Sequence, residues 1–246
     1  MKVPVRAPFH WRALLDFLRP RAVAGLEVVG EDSYRRGEVE VRFNGNALEC
    51  SSVSCRFQIR HLFDVNADSN VIAAHLSRDP LLAPLVSANP GIRVPGAWDP
   101  FELAIRAIVG QQVSVAAATT LMGRIASRHG LQPEGLMRAR ANVGMPSARW
   151  ETIRGLARAV ALGEVVLRRG PTLEESISAL TAVRGIGPWT AHYIAMRALR
   201  EPDAFPHGDL GLRKAAGNIT DRQLLRLAEP WRPYRAYAAM LLWRSL

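Results

Sequence analysis

Apolar residues recur along this chain with two different periods, and the change from one to the other divides it. Trp11, Leu14, Leu15 and Leu18 stand three and four apart, the spacing of a single helix face, and predict a short helix over residues 10–18. Leu26-Glu27-Val28-Val29, Ser33 to Arg36 and Val39-Glu40-Val41-Arg42-Phe43 alternate apolar with polar side chains, the period of a half-buried strand. Asn44-Gly45-Asn46 follows the last of these, and both residue types tolerate the positive φ of a hairpin turn. A small antiparallel sheet with a helix on it is therefore expected at the N-terminal end.

From about Phe57 the alternation stops and helix punctuation takes over. Asp99-Pro100-Phe101-Glu102 reads as an N-cap, a proline at the first helical position and a capping-box glutamate, followed by Phe101, Ile105, Ile108 and Val109 on one face. Ser114 caps a second helix with Ala118, Leu121, Met122 and Ile125 inward, and a third runs from Ser147 to Gly163. Thr172 with Glu175 and Thr220 with Gln223 repeat the capping box, and a last helix is expected from near Pro233, with Tyr234, Tyr237, Ala238, Leu241 and Leu242 along one side. The fold expected is mainly α, α+β overall, with an N-terminal α+β domain over residues 1–57 and a helical domain over residues 58–246.

Charge adds a partner to this picture. The formal net charge is +10, and its placement is uneven: residues 1–98 carry 12 basic and 10 acidic side chains, +2, whereas residues 99–246 carry 20 and 12, +8. Lys2 and Lys214 are the only lysines, so part of the arginine usage reflects coding bias, and only the excess and its location are informative. A basic helical domain without a broad amphipathic membrane face points to a polyanion, nucleic acid first. Two cysteines, Cys50 and Cys55, cannot build a disulfide framework or a four-thiolate metal site. No stretch approaches the roughly 18 apolar residues of a membrane span, and no signal peptide is evident, so a cytoplasmic, nucleoid-associated protein is expected.

The most specific segment is Leu180-Thr181-Ala182-Val183-Arg184-Gly185-Ile186-Gly187-Pro188-Trp189-Thr190-Ala191-His192-Tyr193, a helix, a tight turn and a helix. Gly185 and Gly187 let a ligand approach the backbone, Ile186 is expected to bury between the helices, and Pro188 starts the second helix without losing a needed donor. Free N–H groups at such a helix start form a phosphate site. A plain helical corner would carry the same glycines, and the segment alone leaves the two readings even.

This segment resembles the helix-hairpin-helix of the DNA glycosylase superfamily. The resemblance extends to Phe205-Pro206-His207-Gly208-Asp209-Leu210-Gly211-Leu212-Arg213-Lys214, where that superfamily places its catalytic aspartate, and to Phe101 through Ser114, which is similar to the segment carrying the DNA-probing loop. With Phe9-His10-Trp11 in an α+β prefix, the chain resembles the bacterial 3-methyladenine-DNA glycosylase II subfamily over essentially its whole length. The resemblance implies two helical halves around a cleft, residues 99–203 bearing the hairpin and residues 58–98 with 204–246 forming the other.

By the same resemblance the reaction is excision of an alkylated purine, of 3-methyladenine or 7-methylguanine type, from double-stranded damaged DNA by a monomer in base excision repair. Locally Asp209 is an adequate N-cap; the resemblance makes it the carboxylate that stabilises positive charge at C1′. Phe17, Trp189, Tyr193 and Trp243 are the aromatic candidates for a flipped-base pocket that holds a cationic base by cation–π attraction, with Leu210 where the subfamily has Tyr. Gln112 stands at the wedge position, where Leu is usual. Gly185, Gly187, Thr190, Arg213 and Lys214, with Arg232 and Arg235, are expected to serve DNA, and His207 is given no catalytic role. Trp189 replaces the lysine of strand-cutting members, so no lyase activity is expected. No cofactor, metal or iron-sulfur cluster is implied beyond a monovalent cation on the hairpin carbonyls. Two alternatives stand: a glycosylase for a deaminated or oxidised purine, and a non-catalytic helix-hairpin-helix DNA-binding protein.

Overall fold

The alternating segment folds as a five-stranded antiparallel sheet of β1 (Lys2–Pro4), β2 (Glu27–Val29), β3 (Ser33–Arg36), β4 (Val39–Phe43) and β5 (Ala47–Cys50), in spatial order β1-β5-β4-β3-β2. In this computed structural model the described residues are 1–140 and 142–246. Tyr34 faces Val41 across one ladder and Val41 faces Cys50 across the next, so these three share a face, and all are buried. The helix α1 (Trp11–Leu18) lays Trp11, Leu14, Leu15 and Leu18 on that face, as its spacing predicts. Strand β1 carries no sequence signal: it has three residues, one of them Pro4, which an edge tolerates because it lacks only an outward donor.

Twelve further α-helices follow among the described residues: α2 (Arg56–Leu62), α3 (Ser69–Leu76), α4 (Ala83–Ala88), α5 (Pro100–Val109), α6 (Val115–His129), α7 (Pro133–Leu136), α8 (Ser147–Ala161), α9 (Leu173–Thr181), α10 (Pro188–Arg197), α11 (Leu210–Ala215), α12 (Asp221–Leu227) and α13 (Arg235–Arg244). Asp99, Ser114, Thr172 and Thr220 cap as expected, each accepting the N–H three residues on. Only the box at Thr220 closes in both directions. Glu102 leaves its own cap open because both its oxygens accept from Arg36 Nη2 on β3, at 2.6 and 2.7 Å, a charge-assisted bridge between sheet and helices that is stronger than a single bond to the cap N–H.

Two cores result. The sheet's core reaches past residue 57 to recruit Ile59, Leu62, Phe63 and Val65, and the larger core gathers around α5, whose Ala104, Ile105, Ile108 and Val109 are fully buried. Asp64 links the two cores: it accepts from Tyr237 of α13 at 2.8 Å and from the Val94 N–H at 3.3 Å, and pairs with Arg200.

His192 fastens α10 to the segment ahead of α11, its Nδ1 accepting from the Phe205 N–H at 3.3 Å. Burial, reinforced by neighbouring His207 and Arg235, lowers its pKa from 6.5 to about 4. The unfolded chain then takes up a proton near pH 6.5 that the folded chain refuses until about pH 4. The contribution is complete above about pH 6.5 and lost as the pH falls toward 4, at most about 3 kcal/mol. Urea unfolding at pH 7 and pH 5 is expected to show a smaller stability difference for His192→Gln than for the native chain; an unchanged difference would assign the pH dependence elsewhere.

Candidate active site

Where the hairpin, α1, α11, α13 and the loop after α5 meet, they enclose a cleft of about 1310 Å³. Asp209 lies in its wall. As the N-cap of α11 its Oδ1 accepts the Leu212 N–H at 3.0 Å, which the local sequence predicts. Two further donors come from elsewhere: Trp243 Nε1 of α13 donates to Oδ1 at 2.9 Å, and Trp189 Nε1 of α10 donates to Oδ2 at 3.1 Å. Three N–H groups on three helices thus fix the carboxylate's plane. Oδ1 takes two of them and Oδ2 only one, so Oδ2 retains a lone pair for another group.

The indoles that hold Asp209 also build the aromatic wall. Trp189 stacks on Tyr193 at 5.5 Å between centroids and 17° between planes, and Tyr193 meets Trp243 edge-on at 6.2 Å. Phe17 of α1 reaches Trp243 at 6.4 Å. All four expected aromatics therefore line one cleft. Phe17 already has two cations of the protein against its ring, the guanidinium carbons of Arg21 and Arg197 lying 3.8 and 4.8 Å from its centroid. Leu210, 76% exposed, stands at the cleft where it occludes little.

The hairpin turn between α9 and α10 separates the duties of its glycines. Gly185 has φ +90°, and a Cβ there would lie 2.0 Å from Thr152 Oγ1 on α8, so the turn itself requires it. At Gly187 the φ is ordinary and a Cβ would meet nothing within 4 Å. Packing does not require Gly187, and its open side is where an external group can approach the start of α10. Ile186 is buried as expected.

Beside the turn stands the loop after α5. Gln112 projects from it at the cleft rim, exposed and with φ +56°, a left-handed conformation uncommon for a glutamine. Its neighbour Gln111 ties loop to hairpin: Nε2 donates to the Gly185 carbonyl at 3.1 Å and to Thr190 Oγ1 at 2.9 Å, while the Gln111 carbonyl accepts from Arg149 at 2.7 Å. Thr190, expected at the DNA surface, is instead 2% exposed with its hydroxyl committed to Gln111.

The basic residues divide likewise. Lys214 is exposed, and Arg213 is half-buried with Nε donating to the Ile219 carbonyl at 2.9 Å. Arg235 is a correction: it is 3% exposed and chelates Asp203 at 2.7 and 2.8 Å, and Arg232 joins it on the same carboxylate. Arg235 holds the chain between α10 and α11 instead of facing outward, whereas Arg232 stays exposed while it pairs with Asp203 and Glu229. His207 has a buried Nδ1 without a partner and meets the His192 ring edge-on, with no hydrogen bond to Asp209.

Sequence reasoning missed Gln111 and a group of arginines, Arg21, Arg106 and Arg197, behind the aromatic wall. Arg21 follows Phe17 by four residues and Arg197 follows Tyr193 by four, so helical spacing could have paired them. Gln111 had no such signal, being 74 residues from Gly185. Among the described residues no group of three or more His, Cys, Asp or Glu is placed to hold a metal ion, and no helix is long and apolar enough to cross a membrane.

Comparison with known proteins agrees with this geometry. Residues 1–99 match the family described as the AlkA N-terminal domain. The chain is 36% identical over 281 residues to a probable bifunctional transcriptional activator/DNA repair enzyme AlkA of Mycobacterium tuberculosis, covering all of this chain and 57% of that protein, so it spans little more than half that relative's length. It is 30% identical over 270 residues to DNA-3-methyladenine glycosylase 2 of Escherichia coli, covering 96% of this chain and 94% of that one. In fold it superposes on a 3-methyladenine DNA-glycosylase from Archaeoglobus fulgidus with a TM-score of 0.85 at 20% identity, over 99% and 97% of the two chains. A Schizosaccharomyces pombe 3-methyladenine DNA glycosylase in complex with abasic DNA matches with a TM-score of 0.63 at 25% identity, over 71% and 96%. With near-complete mutual coverage of the Escherichia coli enzyme and the sheet, hairpin and aspartate in place, the chain belongs to the AlkA family, that of DNA-3-methyladenine glycosylase 2.

Proposed function

We propose that this protein is a monofunctional DNA glycosylase that flips alkylated purines, of 3-methyladenine or 7-methylguanine type, out of double-stranded DNA and hydrolyses their N-glycosidic bond. The observation that carries the reading is Asp209, held by Trp189 and Trp243 inside an aromatic cleft beside a helix-hairpin-helix. An N-cap needs one donor; two additional indoles from separate helices serve no capping purpose, which disfavours a protein that only binds DNA.

In this scheme the hairpin takes the phosphate backbone at Gly187 and the start of α10, while Gln112, on the loop beside the turn, enters the stack and fills the space of the extruded base. As the C1′–N bond lengthens, positive charge grows on the sugar and the Asp209 carboxylate opposes it at fixed geometry. Its less occupied Oδ2 accepts a proton from the water that adds to C1′. The bonding pair leaves with the base, and an abasic site remains.

The groups available support a reaction without a strand-cutting step. Lys214 and Lys2 are the only lysines, neither lines the cleft, and Lys2 pairs with Glu49 at 3.2 Å. No cofactor enters the scheme. A monovalent cation on the hairpin would share the Val183 carbonyl with the Ile186 N–H and the Gly185 carbonyl with Gln111. We place the protein with DNA in the cytoplasm, acting as a monomer.

Three outcomes test this reading. Asp209→Asn is expected to lower base release from alkylated duplex at least about 100-fold while leaving affinity for that duplex nearly intact, and strand breaks are expected only after alkali. Near-normal release by the variant, or nicking without alkali, would refute the corresponding part. Gly185→Ala should lower the melting temperature because Thr152 occupies the Cβ position, whereas Gly187→Ala should melt like the native protein yet bind DNA more weakly. Equal effects at the two glycines would remove the division of duties. For Gln112→Ala, weaker binding to abasic duplex in a fluorescence-anisotropy titration is expected, and unchanged affinity would end its wedge role.

A further inference from the structure

Oδ1 of Asp209 accepts two N–H donors, and the room for the second depends on a residue that contributes no side chain. Gly211 is the second residue of α11 and lines the cleft. Its backbone is helical, so no left-handed conformation calls for glycine there. Glycine is the weakest helix former after proline, yet it stands inside a helix of only six residues.

What calls for it is space. A Cβ at position 211 would stand 3.0 Å from Asp209 Oδ1 and 3.4 Å from Trp243 Cδ1. Cδ1 is the ring carbon bonded to Nε1, and Nε1 is the donor to that same oxygen at 2.9 Å. Comfortable carbon contacts begin near about 3.5 Å, so a methyl group would press into this pair at the bond that joins α11 to α13. The third neighbour, Leu246 Cδ1 at 3.3 Å, belongs to an exposed leucine that can turn away. Among the described residues the other glycines inside helices meet no such pair. Gly123 has nothing within 4 Å, Gly155 has only Val183 at 3.8 Å, and Gly135 has a backbone carbonyl at 3.4 Å.

Neither partner of the bond is free to step aside. Asp209 is held by the Leu212 N–H at 3.0 Å and by Trp189 Nε1 at 3.1 Å, and the Trp243 ring lies edge-on against Tyr193. A side chain at 211 would therefore cost the carboxylate its Trp243 donor or its plane. A carboxylate that has lost a fixed donor must reorient as charge grows at C1′, and reorientation during the reaction is the cost that a preorganised site avoids.

We infer that Gly211 is a positioning residue for base release: its missing side chain lets the Trp243 indole reach Asp209 and so fixes the orientation of the carboxylate. This rests on the glycosylase reading and deepens it, adding to Asp209 and its two indoles the residue that makes room for their contact.

Single-turnover release of purines from methylated duplex, measured in the full chain, tests the assignment. Gly211→Ala is expected to slow release by about tenfold or more, the scale of a lost charged hydrogen bond, while duplex affinity stays close to native. Its melting temperature is expected to be unchanged or raised, since alanine is the better helix former. In a Trp243→Phe background, which has no N–H to lose and a smaller ring, adding Gly211→Ala should slow release little further. In a Leu246→Ala background it should keep its full effect. A native release rate for Gly211→Ala, an equal loss in the Trp243→Phe background, or recovery on truncating Leu246 would each overturn the inference while leaving the glycosylase reading standing. So would a lowered melting temperature with native release per folded molecule. A native protein that releases no alkylated base overturns both. If Gly211→Ala does not fold, Trp243→Phe alone decides: slower release at native duplex affinity is expected, and a native rate overturns the inference, because room for a bond that release does not need gives Gly211 no role.

Discussion

The carboxylate of Asp209 can be held in one plane only if three helices arrive together. Leu212 of α11 supplies a local donor, but Trp189 lies 20 residues upstream and Trp243 lies 34 downstream. Both indoles contribute twice, through an N–H to the carboxylate and through a ring face or edge to Tyr193. Any shift of α10 against α13 would break a charge-assisted hydrogen bond and an aromatic contact at once. The packing of the helical domain therefore sets the geometry of the site directly, without an intervening flexible loop.

That dependence explains where the protein spends its buried polar groups. Arg197 ties α10 to Pro95 and Gly96, Arg235 and Arg232 clamp Asp203 between α10 and α11, and Tyr237 with Arg200 closes on Asp64. Each contact joins an element that carries a site residue to the segment before α5 or to the connection ahead of α11. Buried ionic groups contribute little net stability once desolvation is counted, yet removing one partner is costly, so they favour one arrangement over near alternatives. The resulting arrangement of α10, α11 and α13 is the one that brings the two indoles to Asp209.

How much of this was legible depends on the range of the interaction. Helix faces and caps are local, and Trp11 to Leu18, Asp99, Ser114 and Thr220 behave as their spacing predicts. The aspartate and the aromatics were reached through resemblance, since Asp209 by itself reads as an N-cap and is one. What stayed hidden was which surface cation is truly at the surface. Arg235 and Lys214 look alike in sequence, and only the fold puts Asp203 against the first and leaves the second exposed. Thr190 was misread for the same reason, its partner Gln111 being 79 residues away.

Gln111 also bears on how the cleft can work. Under the proposed scheme, a probing residue that moved independently of the hairpin turn would lose its register with the base opposite whenever the loop fluctuated. Here the side chain of Gln111 bridges to Gly185 and Thr190 while its carbonyl is held by Arg149 of α8, so the residue before Gln112 is fixed from three sides. The left-handed φ of Gln112 then follows from the anchoring of its neighbour rather than from its own preference. Hairpin and loop are thereby tied into one unit that keeps Gly187 and Gln112 in fixed relation, and the left-handed φ at Gln112 is the local cost of that tie while the helices behind hold the carboxylate.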